Sequence, residues 1–206
     1  MQRLLEKNIN TAEEYDKIYE QRDKKGVDRF DLRRWKKLLR HYRGGPLIDL
    51  GCLDSQVPAL AHKKYPKADI TGLDQSEVAI TQMRRKYPFI TWKKGDVHST
   101  GFDDSSFAYT VAGELLEHIS LPQRLIAECV RITKSGGWVA ISTPLDEAKE
   151  PGAVDGERHV WSFTQEDLIR LLSPYGEVET EILRSIKFPT YKYCWPQLIA
   201  WVRIQK

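Results

Sequence analysis

Residues 46–61 read PLIDLGCLDSQVPALA. An apolar run from Leu47 to Leu50 meets Gly51, and a helix-patterned stretch follows. That order describes a buried strand, a tight turn and a helix, the kind of junction where exposed backbone N–H groups hold nucleotide-type cofactors. Such turns usually carry two or three glycines, and this one carries only Gly51. The glycine still lets the backbone pass close to a ligand.

The same texture continues outward from this stretch. PLIDLG, ADITGLD, FITWKKGD, SFAYTVAG and GWVAISTP are short runs rich in β-branched and aromatic residues. Helical patterns lie between most of them, over 55–65, 75–87 and 120–133. Strand and helix alternating at this spacing predict an α/β fold, a doubly wound and mostly parallel sheet. After Pro144 come a loop rich in Gly, Pro and charge, a capped helix at TQEDLIRLL, and two strand-like runs, EVETEIL and CWPQLIAWVRI. No helix separates those two runs, so an antiparallel pair at one sheet edge is expected.

Residues 1–45 form a highly charged N-terminal segment that reads as helical, and 46–206 form the sheet domain. Thr11 and Glu14 make a capping-box pattern. Trp35, Leu38, Leu39 and Tyr42 share one helix face. Arg33, Arg34, Lys36, Lys37 and Arg40 fall mostly elsewhere and read as a solvated basic face rather than a nucleic-acid surface.

The chain has 206 residues, 41% hydrophobic and 30% charged, with a net charge of +3, so it can build one sizeable core without needing a polyanionic partner. There is no secretory leader pattern and no membrane span. Cys52, Cys129 and Cys194 are odd in number and widely spaced, which fits reduced thiols in the cytoplasm and no zinc site.

In an open parallel sheet, ligands bind at the carboxyl ends of the strands. Four neighbouring strand-like runs end at or beside an acid here: Asp49, Asp74, Asp96 and Glu114. Asp74 lies 23 residues after Gly51, where a carboxylate can accept both hydroxyls of a ribose. The structural alternative is that it caps the helix that follows, and the two roles are compatible. A nicotinamide dinucleotide is disfavoured. Its diphosphate wants G-x-G-x-x-G, whereas Cys52, Leu53, Asp54 and Ser55 follow Gly51 here.

LIDLGC, GLDQSEVAI, GDV, VAGELLEHI and RITKSGGWVAISTP, in this order, resemble the class I S-adenosylmethionine-dependent methyltransferases of small-molecule type, and are similar to the ubiquinone-pathway O-methyltransferases. The resemblance covers roughly 46–144 and extends more loosely through RHVWSFTQEDLIRLL. It implies a seven-stranded sheet with an antiparallel last strand and S-adenosyl-L-methionine as cofactor. It places Asp49 and Gly51, with Cys52 and Leu53, beside the methionine part. Asp74, with Gln75, falls at the ribose, Asp96 and Val97 at the adenine, and Glu114 beside the methyl group and the acceptor. The family loop is G-x-G-x-G, so Leu53 and Ser55 replace two glycines. If either position needs a positive φ, its side chain costs roughly 1 kcal/mol or more.

If the acceptor is a hydroxyl, methyl transfer gains from a general base, and His118 or His159 is the candidate, with Glu114 nearby. His118 also has a bland reading, as part of a helix-start pattern that supports the site. Glu114, Glu117 and His118 share one face at helical spacing, and Glu-x-x-Glu-His resembles the metal-binding stretch of small-RNA 2′-O-methyltransferases, with His159 as a further ligand. Many relatives carry similar letters without metal, so no metal is assigned. Arg158, His159 and Trp161 follow a glycine-rich loop that can move over the pocket, although Trp161 and Phe163 also suit plain anchoring. The late aromatics of 187–196 suit either pocket cover or edge packing.

The expected function is methyl transfer to an oxygen of a small molecule or a glycan- or lipid-linked group, with the N-terminal segment over the cofactor mouth. Asn-Pro-Pro-Tyr, the usual signature of amino-group methylation on bases, is absent. The alternatives are an RNA methyltransferase using the basic residues of 33–43, and a degenerate binding protein with an altered glycine loop.

Overall fold

The computed structural model describes residues 1–4, 10–21, 29–53, 55–146, 158–184 and 196–206. Asp54, Cys194, the loop 147–157 and most of the late aromatic stretch lie outside them.

Five strands run parallel: β2 (Leu47–Leu50), β3 (Ile70–Asp74), β4 (Thr91–Lys94), β5 (Phe107–Gly113) and β6 (Thr133–Pro144). The sheet order is β4-β3-β2-β5-β6-β9-β8, with β8 at Val178–Leu183 and β9 at Gln197–Arg203. β9 runs antiparallel to both neighbours, so the fold is the expected seven-stranded α/β sheet with an antiparallel last strand. Order reverses at β2, between β3 and β5, and the topological switch point therefore lies beside the Gly51 turn.

The helices cover both faces. α3 (Val57–Lys64) and α4 (Glu77–Lys86) pack on one side with α2 (Arg29–Leu38), and α5 (Pro122–Ile132) and α6 (Gln165–Leu172) pack on the other. Leu47, Ile48 and Leu50 are all fully buried because β2 is central and covered on both faces. Local caps agree with the sequence. Ser76 Oγ accepts from Ala79 N at 3.0 Å, and Thr164 and Asp167 form a capping box.

Helix α2 is part of the core. Trp35, Leu38, Leu39 and Tyr42 bury the face expected of them. Lys37 turns to an acid of the sheet edge, Glu181, at 2.7 Å, and past the helix the His41 ring lies 3.1 Å from Glu179.

One feature differs from the expected helical N-terminus. β1 (Gln2–Arg3) pairs antiparallel with β7 (Trp161–Ser162), in register Gln2 to Ser162. Leu4 N donates to Val160 O at 2.8 Å, and the Met1 amino group pairs with Asp167. These partners are more than 150 residues away in sequence, so no local pattern announces them. α1 (Ala12–Gln21) follows and packs on α4. Among the described residues, no helix is long and apolar enough to cross a membrane.

Candidate cofactor and acceptor site

Gly51 ends β2 with φ +63°, and Leu53 follows with φ +35°. Both lie in the left-handed region, which glycine enters freely and leucine at a cost of roughly 1 kcal/mol. The conformation turns the Leu53 N–H onto Asp74 Oδ2 at 2.9 Å. Ser76 N holds the other oxygen, Oδ1, at 2.9 Å. Burial pushes the Asp74 carboxyl up, and the backbone N–H groups of Ser76, Leu53 and Gln75 pull against it. Both oxygens are thus anchored from behind, and each keeps a lone pair for a further donor. Ser55 has no left-handed φ, so of the two replaced glycines only Leu53 carries strain.

A cavity of about 250 Å³ opens at these strand ends. Of the residues singled out in the sequence, Gly51, Leu53, Asp74, Gln75, Asp96, Val97, Glu114 and His118 line it. Asp49, Cys52 and His159 do not. Asp49 is buried under the turn, and burial drives its carboxyl up to about 7 against a hydrogen bond from Ser55. Cys52 sends its side chain into the core, and its N–H is spent on Leu73 O at 3.1 Å. His159 stands behind His118, with ring centroids 4.7 Å apart.

The wall also holds residues that sequence reasoning missed: Asn10, Tyr15, His98, Leu115 and Ile119. Asn10 Nδ2 donates to the carbonyls of His118 at 3.1 Å and Arg158 at 2.8 Å, while Gln75 Nε2 donates to Asn10 O at 3.4 Å. Asp16 Oδ1 accepts from Ser76 Oγ at 2.5 Å and Val78 N at 3.2 Å, seating α1 on the start of α4. Tyr15, Ile18 and Tyr19 at helical spacing hinted at a buried face, but nothing local linked it to this cavity. His98 was readable in GDVHS. Its N–H and its Nδ1 each lie 2.8 Å from Asp96 Oδ1. Burial raises the Asp96 carboxyl, but these His98 contacts outweigh it and hold the group below its usual range.

At the far end of the cavity, Glu114 sits at φ +52° with its N–H on Ser142 O at 2.9 Å. Ser142 Oγ donates to Glu114 Oε1 and Arg34 pairs with Oε2, both at 3.0 Å. His118 is the neighbouring imidazole, and burial, then His159, lower its pKa to about 4. It is therefore neutral near pH 7. Its Nδ1 lies 3.3 Å from the Arg158 carbonyl oxygen, which only accepts, so Nδ1 carries the hydrogen and Nε2 the lone pair.

Glu117, His118 and His159 bring one donor atom each within 4.8 Å of one another, a set that could hold a divalent cation. Glu114 stands apart from it, occupied by Arg34. Among the described residues no lysine or arginine lines the cavity, whereas three acids do. That suits a cationic sulfonium amino acid better than a diphosphate.

Residues 48–141 match the family model described as a methyltransferase domain. Over that stretch the chain is similar to a methyltransferase domain. It is 28% identical over 110 residues to the ubiquinone/menaquinone biosynthesis C-methyltransferase UbiE of Desulfotalea psychrophila, covering 50% of this chain and 45% of that protein. It is 30% identical over 122 residues to the ubiquinone biosynthesis O-methyltransferase of Thiobacillus denitrificans, covering 56% and 51%. These matches span about half the length of those relatives. The chain shares its fold with a solved SAM-dependent methyltransferase from Thermotoga maritima, at TM-score 0.70 and 17% identity over 94% of this chain and 96% of that one. A further match, 24% identical over 118 residues and covering 57% of this chain and 45% of that protein, is named a probable S-adenosylmethionine-dependent methyltransferase of Mycolicibacterium smegmatis.

Proposed function

We propose that the protein transfers the methyl group of S-adenosylmethionine to an oxygen of a small molecule or a glycan- or lipid-linked acceptor, with His118 as general base. The observation that carries this reading is a neutral imidazole on the cavity wall beside Glu114, with Nδ1 committed to the Arg158 carbonyl. Asp74 receives the two ribose hydroxyls, with Gln75 beside it. Asp96 receives the adenine amino group, and Val97 packs near the ring. The backbone of Gly51 and Leu53 borders the methionine tail. Residues 10–21 cover the mouth.

The cofactor supplies a methyl group on a cationic sulfur, and the protein supplies proximity and alignment. His118 Nε2 takes the acceptor's proton as the new O–C bond forms. An imidazole with so low a pKa is a weak base on its own. The buried Glu117, with a carboxylate oxygen 4.0 Å from Nε2, favours the imidazolium once it forms. The engagement of Arg34 with Glu114 and of Lys37 and Arg40 with Glu181 supports a small acceptor over a nucleic acid on that segment.

The test is transfer from labelled S-adenosylmethionine into fractionated metabolite pools, comparing the wild type with His118→Gln. A labelled O-methyl product that His118→Gln forms at least about a hundredfold more slowly is expected for loss of a general base. Equal rates sink the base assignment. Absence of any transfer together with no binding of S-adenosylhomocysteine sinks the enzyme reading.

A second reading rests on the Glu117, His118 and His159 cluster. A divalent cation held there would bind and acidify the acceptor hydroxyl, with His118 as ligand rather than base. Calorimetric titration with Mn²⁺ and Zn²⁺, and transfer assayed with a chelator, separate the two. No metal binding and chelator-resistant transfer exclude the second.

A further inference from the structure

The connections leaving α3 and α4 repeat the same letters. Lys64-Tyr65-Pro66 follows α3, and Lys86-Tyr87-Pro88 follows α4. Lys63, Lys64, Lys67, Arg84, Arg85 and Lys86 are all exposed there. These six cations exceed the whole chain's net +3, so the remainder of the molecule is net acidic. Among 62–69 and 84–91 the one acid is Asp69. Arg84 is engaged by Glu77, and no ion pair involves the other five among the described residues. Cations at a helix C-terminus complement its dipole, and that explains part of each cluster. It does not explain Lys67, nor what stands between the clusters.

Between them stands Phe89, 56% exposed, the most exposed large apolar side chain among the described residues. Its exposure is built into the turn. Tyr87 OH donates to Gln56 Oε1 at 2.6 Å, Trp92 Nε1 donates to Tyr87 O at 3.0 Å, and Ile90 N donates to the same carbonyl at 3.1 Å. Ile90 is buried, so Phe89 cannot turn inward without breaking these bonds. His62 stacks on its ring at 4.3 Å and 27°, joining the two clusters into one patch, and Tyr87 stands edge-on at 6.0 Å.

We propose that this corner is a docking surface for an anionic phospholipid bilayer, with Phe89 as the inserted apolar wedge and the surrounding cations reading the headgroups. Attachment to a bilayer strengthens when an apolar insertion and a polybasic patch act together, and both are present here within two short connections. A single-stranded nucleic acid would need several open aromatic faces for successive bases, whereas Phe89 is the one exposed phenyl ring here and His62 covers one of its faces. The patch lies at the start of the strands, and the cofactor cavity lies at their end. Docking therefore leaves the cavity mouth facing water.

Sedimentation of the full chain with vesicles tests this. Binding is expected to vesicles of phosphatidylcholine containing about one third phosphatidylserine, to be absent on phosphatidylcholine alone, and to weaken with salt. Each neutralised cation should lower partitioning about fivefold, so Lys63→Gln, Lys64→Gln and Lys86→Gln combined should lower it about a hundredfold. Phe89→Ser should lower it roughly tenfold. All these side chains are exposed, so the variants should stay folded, with Tm lowered by no more than the few degrees that loss of the helix-end charges explains. Unchanged affinity in either variant overturns the proposal, as does equal binding to neutral vesicles or binding of polyuridylate without vesicle binding.

Discussion

An alanine at position 51 would place its β-carbon 2.7 Å from Leu115 Cδ1 and 3.1 Å from Cδ2, on a backbone with φ +63°. The left-handed conformation costs a non-glycine residue roughly 1–2 kcal/mol. Lower chain entropy in the unfolded state returns about 0.4–1 kcal/mol. Moving Leu115 off its rotamer adds about 0.5–1.5 kcal/mol. Gly51→Ala should therefore destabilise the fold by about 1.5 kcal/mol, a fall in Tm of roughly 3–6 °C for a domain of this size. Leu115 lines the cavity, so its displacement should also weaken S-adenosylhomocysteine binding. Urea unfolding of Gly51→Ala, Leu115→Ala and the double variant separates the two causes. The clash should appear as a coupling of about 1 kcal/mol, and the φ strain should remain in the double variant. A neutral Gly51→Ala, or no coupling with Leu115, would refute this account of why glycine stands there.

The same turn predicts a contrasting result for Leu53→Gly. Relief of roughly 1 kcal/mol of strain is offset by the glycine's entropy of about 0.5–1 kcal/mol, so Tm should move by no more than a few degrees and the cofactor should still bind. A loss above about 2 kcal/mol would show that Leu53 is held by packing. Asp74→Asn turns an amide N–H₂ toward one of two backbone donors and removes the charge. Calorimetry should find S-adenosylhomocysteine bound at least tenfold more weakly, from hydrogen bonds to a charged group worth about 1.5–3 kcal/mol each. Unaltered affinity would remove Asp74 from the ribose site. Asp49 has a folded-state pKa of about 7, raised by burial, so folding favours its protonated form. That contribution is complete below the unfolded value of about 4 and is lost as pH rises through about 7. Asp49→Asn should thus gain Tm over the wild type near pH 8 and lose that advantage toward pH 5, and parallel melting profiles across this range would contradict the burial of a charge there.

Much of the molecule was legible before any coordinates. Alternating β-branched runs and helical patterns define the doubly wound sheet because strand and helix each have their own period. Acids at strand ends mark the cavity because the topology sends every parallel strand's carboxyl end to the same side. Asp49 and Cys52 show where this stops. They adjoin Gly51 in sequence, but β2 is buried on both faces, so alternation carries no sign of which side chains meet a ligand.

What tertiary structure alone decided involves partners far apart in the chain. Asn10 reaches His118 and Arg158, Arg34 takes the Glu114 carboxylate, and Gln2 pairs with Ser162. The Leu53 backbone belongs to the same group. Leucine by itself disfavours φ +35°, and the Asp74 carboxylate on the next strand draws its N–H inward. The single glycine at position 51 points to a turn from sequence alone. The hydrogen bond across two strands lets leucine serve where a second glycine was expected.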